Sequence, residues 1–323
     1  MTAQPSAAKV ATMTASSTNR PGREERSRSY LLAGRPADAP ALPDGLYLVA
    51  TPIGNLRDIT LRALEVLAAA DVIACEDSRV TRKLLDHYGI RTPLTPYHEH
   101  NAAEARPKLI GRLQVGEAIA LVSDAGTPLI SDPGYKLVRE VREAGLTVTA
   151  IPGPSALLAA LTAAGLPTDR FFFEGFLPPK VGARRARIAD LARIPASLIL
   201  FESGPRLGST LADLAEGLSG REAAVCRELT KLHEEIRRGD LISLASHYAG
   251  DAETRGEIVI VIAPPPAQEE TNAADLDALL QQALARTSVK EAVAEVASAT
   301  GMARRIVYQR ALALTKDADG AAT

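Results

Sequence analysis

Ser123-Asp124-Ala125-Gly126-Thr127-Pro128-Leu129-Ile130-Ser131-Asp132-Pro133-Gly134 follows the apolar run 119–122, and its reading decides what kind of fold this chain adopts. A buried strand ends here in a loop with two glycines, which let a ligand come close to the main chain, and two prolines, which stiffen it. The hydroxyls of Ser123, Thr127 and Ser131 and the carboxylates of Asp124 and Asp132 suit a ribose or an amino group. The alternative is a long turn in which Asp132 caps a helix that begins at Pro133.

Outward from this loop, short β-rich runs alternate with amphipathic stretches. Strands are expected at 46–50, 72–75, 119–122, 147–151, 171–174, 198–201, 223–227 and 258–262. Asp58 offers an N-cap to a helix with Leu61, Leu64 and Leu67 on one face. Pro133 and Gly134 open a helix carrying Leu137, Val138 and Val141, which Gly145 closes. Such alternation predicts an α/β protein with mostly parallel sheets covered by helices.

Two breaks divide the chain. Gly165-Leu166-Pro167-Thr168 separates a first α/β domain, 44–165, from a second, 166–265, and Pro264-Pro265-Pro266 leads out of the second. Residues 274–316 read as purely helical, with a helix, a turn at Thr300-Gly301 and another helix in a helix-turn-helix pattern. Between Arg286 and Lys316 six positive residues face two acids, so this segment either grips nucleic acid or serves packing and dimerisation. Residues 1–43, rich in Ala, Ser, Thr, Pro and Arg, are expected to form a disordered tail whose cluster Arg20, Arg23, Arg26 and Arg28 is basic.

Composition narrows the class. With 323 residues, 46% of them hydrophobic, the chain can fill two α/β cores and an appendage. A formal charge of -2 leaves only local patches for any polyanion. Cys75 and Cys226 lie in apolar runs and read as reduced core residues; with no run of membrane-spanning length, a cytoplasmic protein is expected.

Two further strand ends resemble ligand loops. Thr51-Pro52-Ile53-Gly54-Asn55-Leu56 follows the first strand without the G-x-G-x-x-G run of a dinucleotide site, and Pro152-Gly153-Pro154-Ser155-Ala156 begins a helix whose backbone N–H groups are available. In order along the chain come these loops, Glu76-Asp77-Ser78-Arg79, Tyr97-His98-Glu99-His100-Asn101, the Ser123–Gly134 stretch, Phe201-Glu202-Ser203 and Arg227-Glu228-Leu229-Thr230-Lys231. Together they resemble the tetrapyrrole-methylase-like superfamily, the class III methyltransferases, over residues 46–314. Within it they are most similar to the branch that methylates the ribose 2'-oxygen of a cytidine, position 1402, in the 16S RNA of the small ribosomal subunit.

The resemblance implies two α/β domains of the tetrapyrrole methylase type, S-adenosylmethionine in the cleft between them and a small C-terminal helical domain that binds RNA. It assigns cofactor contacts to Pro52, Gly54, Asn55, Gly126, Thr127, Pro128, Ile130, Ser131, Ser155, Ala156, Phe201 and Glu202. Thr127 stands where tetrapyrrole enzymes commonly carry Asp, which argues against a porphyrinoid acceptor. It also implies a homodimer.

Methyl transfer from a sulfonium is an in-line displacement governed by alignment, and a ribose hydroxyl benefits from a base or a polarising group. Lys231, Glu76 and His100 are the candidates, in that order. Arg79, Lys180, Arg184, Arg185, Arg304 and Arg305 are expected to meet RNA phosphates. His98 and His100 flank Glu99 without a third ligand at comparable spacing, so no metal site is expected. Two other functions stay open: methylation of a corrinoid or porphyrin precursor, and a helix-turn-helix regulator whose α/β part senses a ligand.

Overall fold

A computed structural model describes residues 28–132, 134–218, 220–250, 254–266, 273–300 and 302–320. The chain divides into two compact units, 1–264 and 265–323. In the first, strands β1 (Ser29–Leu32) and β2 (Arg35–Asp38) precede β3 (Gly45–Val49), α1 (Leu61–Ala69), β4 (Val72–Cys75), α2 (Ser78–His87), β5 (Leu94–Pro96), α3 (Ala102–Gln114), β6 (Ala118–Val122), α4 (Tyr135–Glu143), β7 (Val148–Ile151) and α5 (Ala156–Ala164). There follow β8 (Phe171–Phe176), α6 (Val181–Leu191), β9 (Ser197–Ser203), α7 (Gly204–Gly217), β10 (Glu222–Arg227), β11 (Glu235–Asp240), α8 (Leu241–Tyr248) and β12 (Glu257–Ile262). The second unit holds α9 (Ala273–Leu284), α10 (Val289–Thr300) and α11 (Arg304–Gly320).

The first large sheet has the order β5-β4-β6-β3-β7 and is parallel throughout, as its uniformly apolar central strands predict. Helices cover both faces: Leu64, Leu67 and Leu85 from α1 and α2 pack on one, Leu109, Leu113, Leu137 and Val141 from α3 and α4 on the other. All its loops at the carboxyl ends of the strands therefore open on one edge, where open α/β sheets bind ligands.

The second sheet, β11-β10-β12-β9-β8, departs from the expectation of mostly parallel pairing. Only β8 and β9 are parallel; β9, β12, β10 and β11 pair antiparallel. The reason is connectivity: the short link 228–234 returns β10 directly into β11, which a parallel pair cannot do. Helix α5 packs on the inner face of this sheet, with Leu157, Ala160 and Leu161 against Ile199, Ala224 and Val259. The chain thus crosses between the sheets at Pro152–Ser155, ahead of the break expected at Gly165, whose φ of 67° simply ends α5.

Residues 29–38 correct the reading of 1–43 as a disordered tail. They form a hairpin whose two-residue turn, Ala33 and Gly34, has φ of 50° and 77°, the mirror-image geometry that suits tight hairpins. Tyr30 is buried as β1 packs on α1, and the Leu31 N–H donates to the Tyr88 carbonyl at 2.7 Å. Arg20, Arg23 and Arg26 lie outside the described residues, as do Pro133 and Gly301. Helix α1 is capped by Thr60 rather than Asp58, because the Thr60 hydroxyl reaches the Ala63 N–H at 3.2 Å.

Candidate active site

The loops after β3, β4, β6 and β7 are tied into one wall. Thr51 and Gly126 exchange two backbone hydrogen bonds of 2.9 Å, and the Thr51 hydroxyl donates to the Ser123 carbonyl at 3.2 Å. Asp124 Oδ1 accepts from the Asp77 N–H at 3.0 Å, and the Thr127 hydroxyl donates to the Pro154 carbonyl at 3.1 Å. Gly126 has φ of 77°, while Leu129 and Ser131 hold left-handed backbones at 74° and 63° without being glycine. Such conformations each cost about 1–3 kcal/mol and persist where the surroundings fix them, as at ligand sites.

Across the cleft, the turn after β10 carries two more, Glu228 at 50° and Thr230 at 68°. This turn meets the loop after β3: the Asn55 N–H donates to the Thr230 hydroxyl at 3.1 Å. A Cβ on Gly54 would lie 2.5 Å from Lys231 Cγ and 3.0 Å from the Leu229 carbonyl, so only glycine fits this approach.

Two adjoining cavities, of about 220 and about 260 Å³, open between the sheets and share Ile53, Ala125 and Glu257 in their walls. Together they fall within the size range of small-molecule sites, roughly 300–1,000 Å³. The first brings together eight of the expected cofactor residues: Gly126, Thr127, Ile130, Ser131, Ser155, Ala156, Phe201 and Glu202. Phe176 and Phe201, with ring centres 5.7 Å apart, give it an aromatic side. The second is lined by Pro52 and Gly54, together with Val80, Thr81, Lys83 and Lys231. Asn55 and Pro128 lie outside both linings: Asn55 joins the β10 turn and its own loop, and Pro128 is buried. Glu202 lines the first cavity, but its carboxylate is consumed by α7, accepting from the Ser203 N–H at 2.7 Å and the Thr210 hydroxyl at 2.7 Å.

The ionisable groups separate by charge state. Lys231 Nζ lies 2.7 Å from Glu228 Oε1 and 2.9 Å from Glu257 Oε2; burial opposes its charge, but the two carboxylates win and raise its pKa. It is a fixed cation, which corrects its ranking as first candidate for a base. Burial, then the Asp124 charge, pushes the Glu76 carboxyl up, though Glu76 lines neither cavity. Asp132, in the loop whose carboxylates suit a ribose or an amino group, lines the first cavity, and burial followed by the Glu76 charge pushes its carboxyl up to about 6. The signal available in the sequence was a carboxylate at the end of a glycine- and proline-rich loop. Helix α4 is preceded instead by Gly134, with no side-chain cap.

His100 is exposed, in a ring contact with His98 at 6.1 Å, and lines neither cavity. Asn101 stands at the cap of α3, but its carbonyl oxygen accepts backwards from the His98 N–H at 2.9 Å. No group of three His, Cys, Asp or Glu positioned for a metal occurs among the described residues.

The expected RNA contacts divide in the same way. Arg184 is 4% exposed and bonds Asp213 at 2.6 Å, so it cannot reach a phosphate. Arg185 pairs with Asp213 and Glu216, both at 2.8 Å, and Arg187 with Glu174 at 2.6 Å. That patch is largely neutralised within the fold, which sequence density alone cannot reveal. Lys180 and Arg193 remain exposed. Arg79 is 88% exposed at the start of α2, beside Asp77 at 2.7 Å. In the helical unit, Arg304 and Arg305 are exposed on the first turn of α11, while Arg286 and Arg310 pair with Glu295 and Asp277.

A family model described as tetrapyrrole (corrin/porphyrin) methylases matches residues 45–245. The chain belongs to this family. A second model, described as the RsmI C-terminal HTH domain, matches residues 270–315 and so covers the three-helix unit. Relatives named ribosomal RNA small subunit methyltransferase I include those of Mesorhizobium japonicum, 56% identical over 88% of this chain and 97% of the relative, and Pseudomonas aeruginosa, 47% identical over 83% and 96%. The Escherichia coli O157:H7 relative is 46% identical over 83% of this chain and 94% of its own. Among solved structures, a cobalt precorrin-4 methyltransferase superposes with a TM-score of 0.51 at 17% identity, covering 68% of this chain and 94% of that one. Diphthine synthase matches with the same score at 18% identity, over 68% and 89%. At that identity these two structures show the fold alone, while the relatives named for ribosomal RNA are identical at about half of the aligned positions.

Proposed function

We propose that this chain is an S-adenosylmethionine-dependent methyltransferase that modifies the ribose 2'-oxygen of a cytidine in small-subunit ribosomal RNA, position 1402 of 16S RNA by its family branch. The observation that carries this reading is the convergence of eight expected cofactor residues on one cavity, in a chain whose relatives are named for ribosomal RNA methylation.

The cavity suits the cofactor chemically. Gly126, fixed by its two backbone bonds to Thr51, holds Thr127 where its main chain can meet a polar ligand edge, Phe176 and Phe201 offer apolar ring surface to an aromatic base, and Asp132 can face an amino or sulfonium charge. When bound, S-adenosylmethionine supplies an electrophilic methyl group on a sulfonium. The residues of this chain align acceptor and donor, exclude water with Ile130, Phe201 and Val259, and manage one proton. Asp132, with its carboxyl near 6, is ionised at neutral pH and still basic enough to take the hydroxyl proton. Lys231, on the wall of the second cavity, has its charge met by Glu228 and Glu257 and keeps one Nζ donor for an acceptor oxygen.

Arg79 at the cleft, Lys180, and Arg304 and Arg305 on the helical unit are the phosphate contacts in this reading. Action on the assembled subunit, a homodimeric state and a cytoplasmic location belong to the same proposal; no described helix is long and apolar enough to cross a membrane. Labelled S-adenosylmethionine offered with undermodified small subunits, free 16S RNA or tetrapyrrole precursors tests it. Alkali-resistant label in RNA is expected, and label confined to a tetrapyrrole would remove the proposal.

A further inference from the structure

We propose that Glu228 is a positioning residue for the methyl transfer, holding Lys231 and Glu257 at the junction of the two cavities. This rests on the reading above that the remaining Nζ donor of Lys231 meets an acceptor oxygen. Glu257 is in the walls of both cavities and Lys231 in that of the second, whereas Glu228 lines neither. Any effect of Glu228 on turnover therefore passes through the residues it touches.

A single oxygen makes both links. Glu228 Oε1 accepts from Lys231 Nζ at 2.7 Å and from the Glu257 N–H at 2.9 Å, so it fixes the cation and the first residue of β12 together. The main chain repeats the connection: the Glu228 N–H donates to the Glu257 carbonyl at 2.9 Å, and the Glu228 carbonyl accepts from the Lys231 N–H at 3.0 Å. On the other flank, the Lys231 stem lies against Gly54, and the Thr230 hydroxyl accepts from the Asn55 N–H at 3.1 Å. Lys231 is thus held between β12 and the loop after β3, and its Nζ reaches Glu257 Oε2 at 2.9 Å.

The backbone is strained around this carboxylate. Glu228 stands at φ of 50°, a left-handed conformation that glycine or asparagine more often adopts, and such residues persist where their surroundings over-determine them. Gly256, at φ of 104°, makes room for the side chain: a Cβ there would lie 2.6 Å from both Cγ and Oε1 of Glu228. A glycine at 228 would keep the main-chain link to Glu257 without strain, so it is the side chain that the turn serves. The hydrogen bond from Lys231 holds the Glu228 carboxyl below the usual carboxylate range, so it stays an acceptor throughout the neutral region. Lysine carries its ammonium on a flexible stem, and a displacement governed by alignment gains from fixing that group.

The test uses the full-length enzyme, undermodified small subunits and saturating S-adenosylmethionine. Glu228→Asp keeps the charge and suits a left-handed backbone at least as well, but withdraws the carboxylate by a methylene from Lys231 and Glu257. Glu228→Gln removes the charge and keeps an oxygen that can accept from both. Glu228→Asp should lower kcat about tenfold with subunit KM and cofactor Kd within about twofold of wild type, and Glu228→Gln should retain at least about a third of wild-type kcat. In a Lys231→Ala background, Glu228→Asp should change kcat by less than about twofold, because the group it positions is gone. A role in folding alone would lower kcat equally in both backgrounds. Wild-type kcat in Glu228→Asp, a loss in Glu228→Gln as large as in Glu228→Asp, or equal losses in the two backgrounds would overturn the assignment. Wild-type turnover in Lys231→Ala would instead overturn the parent reading of Lys231, and the role of Glu228 with it.

Discussion

Asp132 and Lys231 sit at opposite walls of the cleft with opposite preferences for a proton. The raised Asp132 carboxyl is protonated below about pH 6 and ionised above it, so a rate that needs its basic form falls as pH drops through that value. The wild-type kcat/KM should lose about tenfold per pH unit below 6, and Asp132→Asn should lower kcat and flatten that limb; an unchanged acid limb would remove Asp132 as the base. Lys231 titrates above its ordinary range and contributes no limb near neutrality. Lys231→Ala should therefore depress turnover at every pH between 6 and 9 without shifting the profile, and turnover equal to wild type would strip it of any role. Gly54 has a tighter constraint. A methyl group there meets Lys231 Cγ at 2.5 Å and backbone at 3.0 Å, so Gly54→Ala should cost about 1–3 kcal/mol in denaturant unfolding.

Elements carry the second kind of evidence. Helices α6 and α7 are joined by Arg184 and Asp213, both 5% exposed at the side chain. Removing one partner of such a pair leaves a buried charge, so Arg184→Ala should destabilise the protein by about 3–5 kcal/mol. Subunit affinity of the folded Arg184→Ala protein should match wild type, whereas a phosphate contact there would show as a reduced salt slope. The same arginine illustrates what sequence could convey. All eight expected strands are present within a few residues, because each is a short run dominated by apolar and β-branched residues. Four strands went unread. β11, Glu-Ile-Arg-Arg-Gly-Asp, is a charged edge strand; β5 has three residues; β1 and β2 turn on Ala33-Gly34 instead of the Asn-Gly that signals such a hairpin. The loop that lines the first cavity was legible because its glycines, hydroxyls and carboxylates lie in one stretch. The pairing that silences Arg184 spans 29 residues of sequence, and the burial that lifts Asp132 depends on the second sheet closing over it, so neither could be read from spacing.

At the scale of the molecule, the chain joins a methylase unit to a three-helix unit that matches an RsmI C-terminal domain. The helical core, with Leu280, Val293, Val296 and Val307 buried, leaves Arg304 and Arg305 exposed at the start of the second helix of its helix-turn-helix. Replacing both with Ala should weaken subunit binding at all target sequences and reduce the slope of log affinity against log salt by about 2, with the cofactor Kd unchanged. An unaltered slope would assign that unit to packing. A methylase unit joined in one chain to a helical unit with a basic stretch over 286–316 fits an acceptor that is a large polyanion. That claim is measured most directly by nuclease mapping of labelled methyl groups on undermodified small subunits after incubation with the purified protein and S-adenosylmethionine. The account predicts one alkali-resistant 2'-O-methylcytidine in the 16S RNA; label on a base, on a tetrapyrrole added in competition, or nowhere would contradict it.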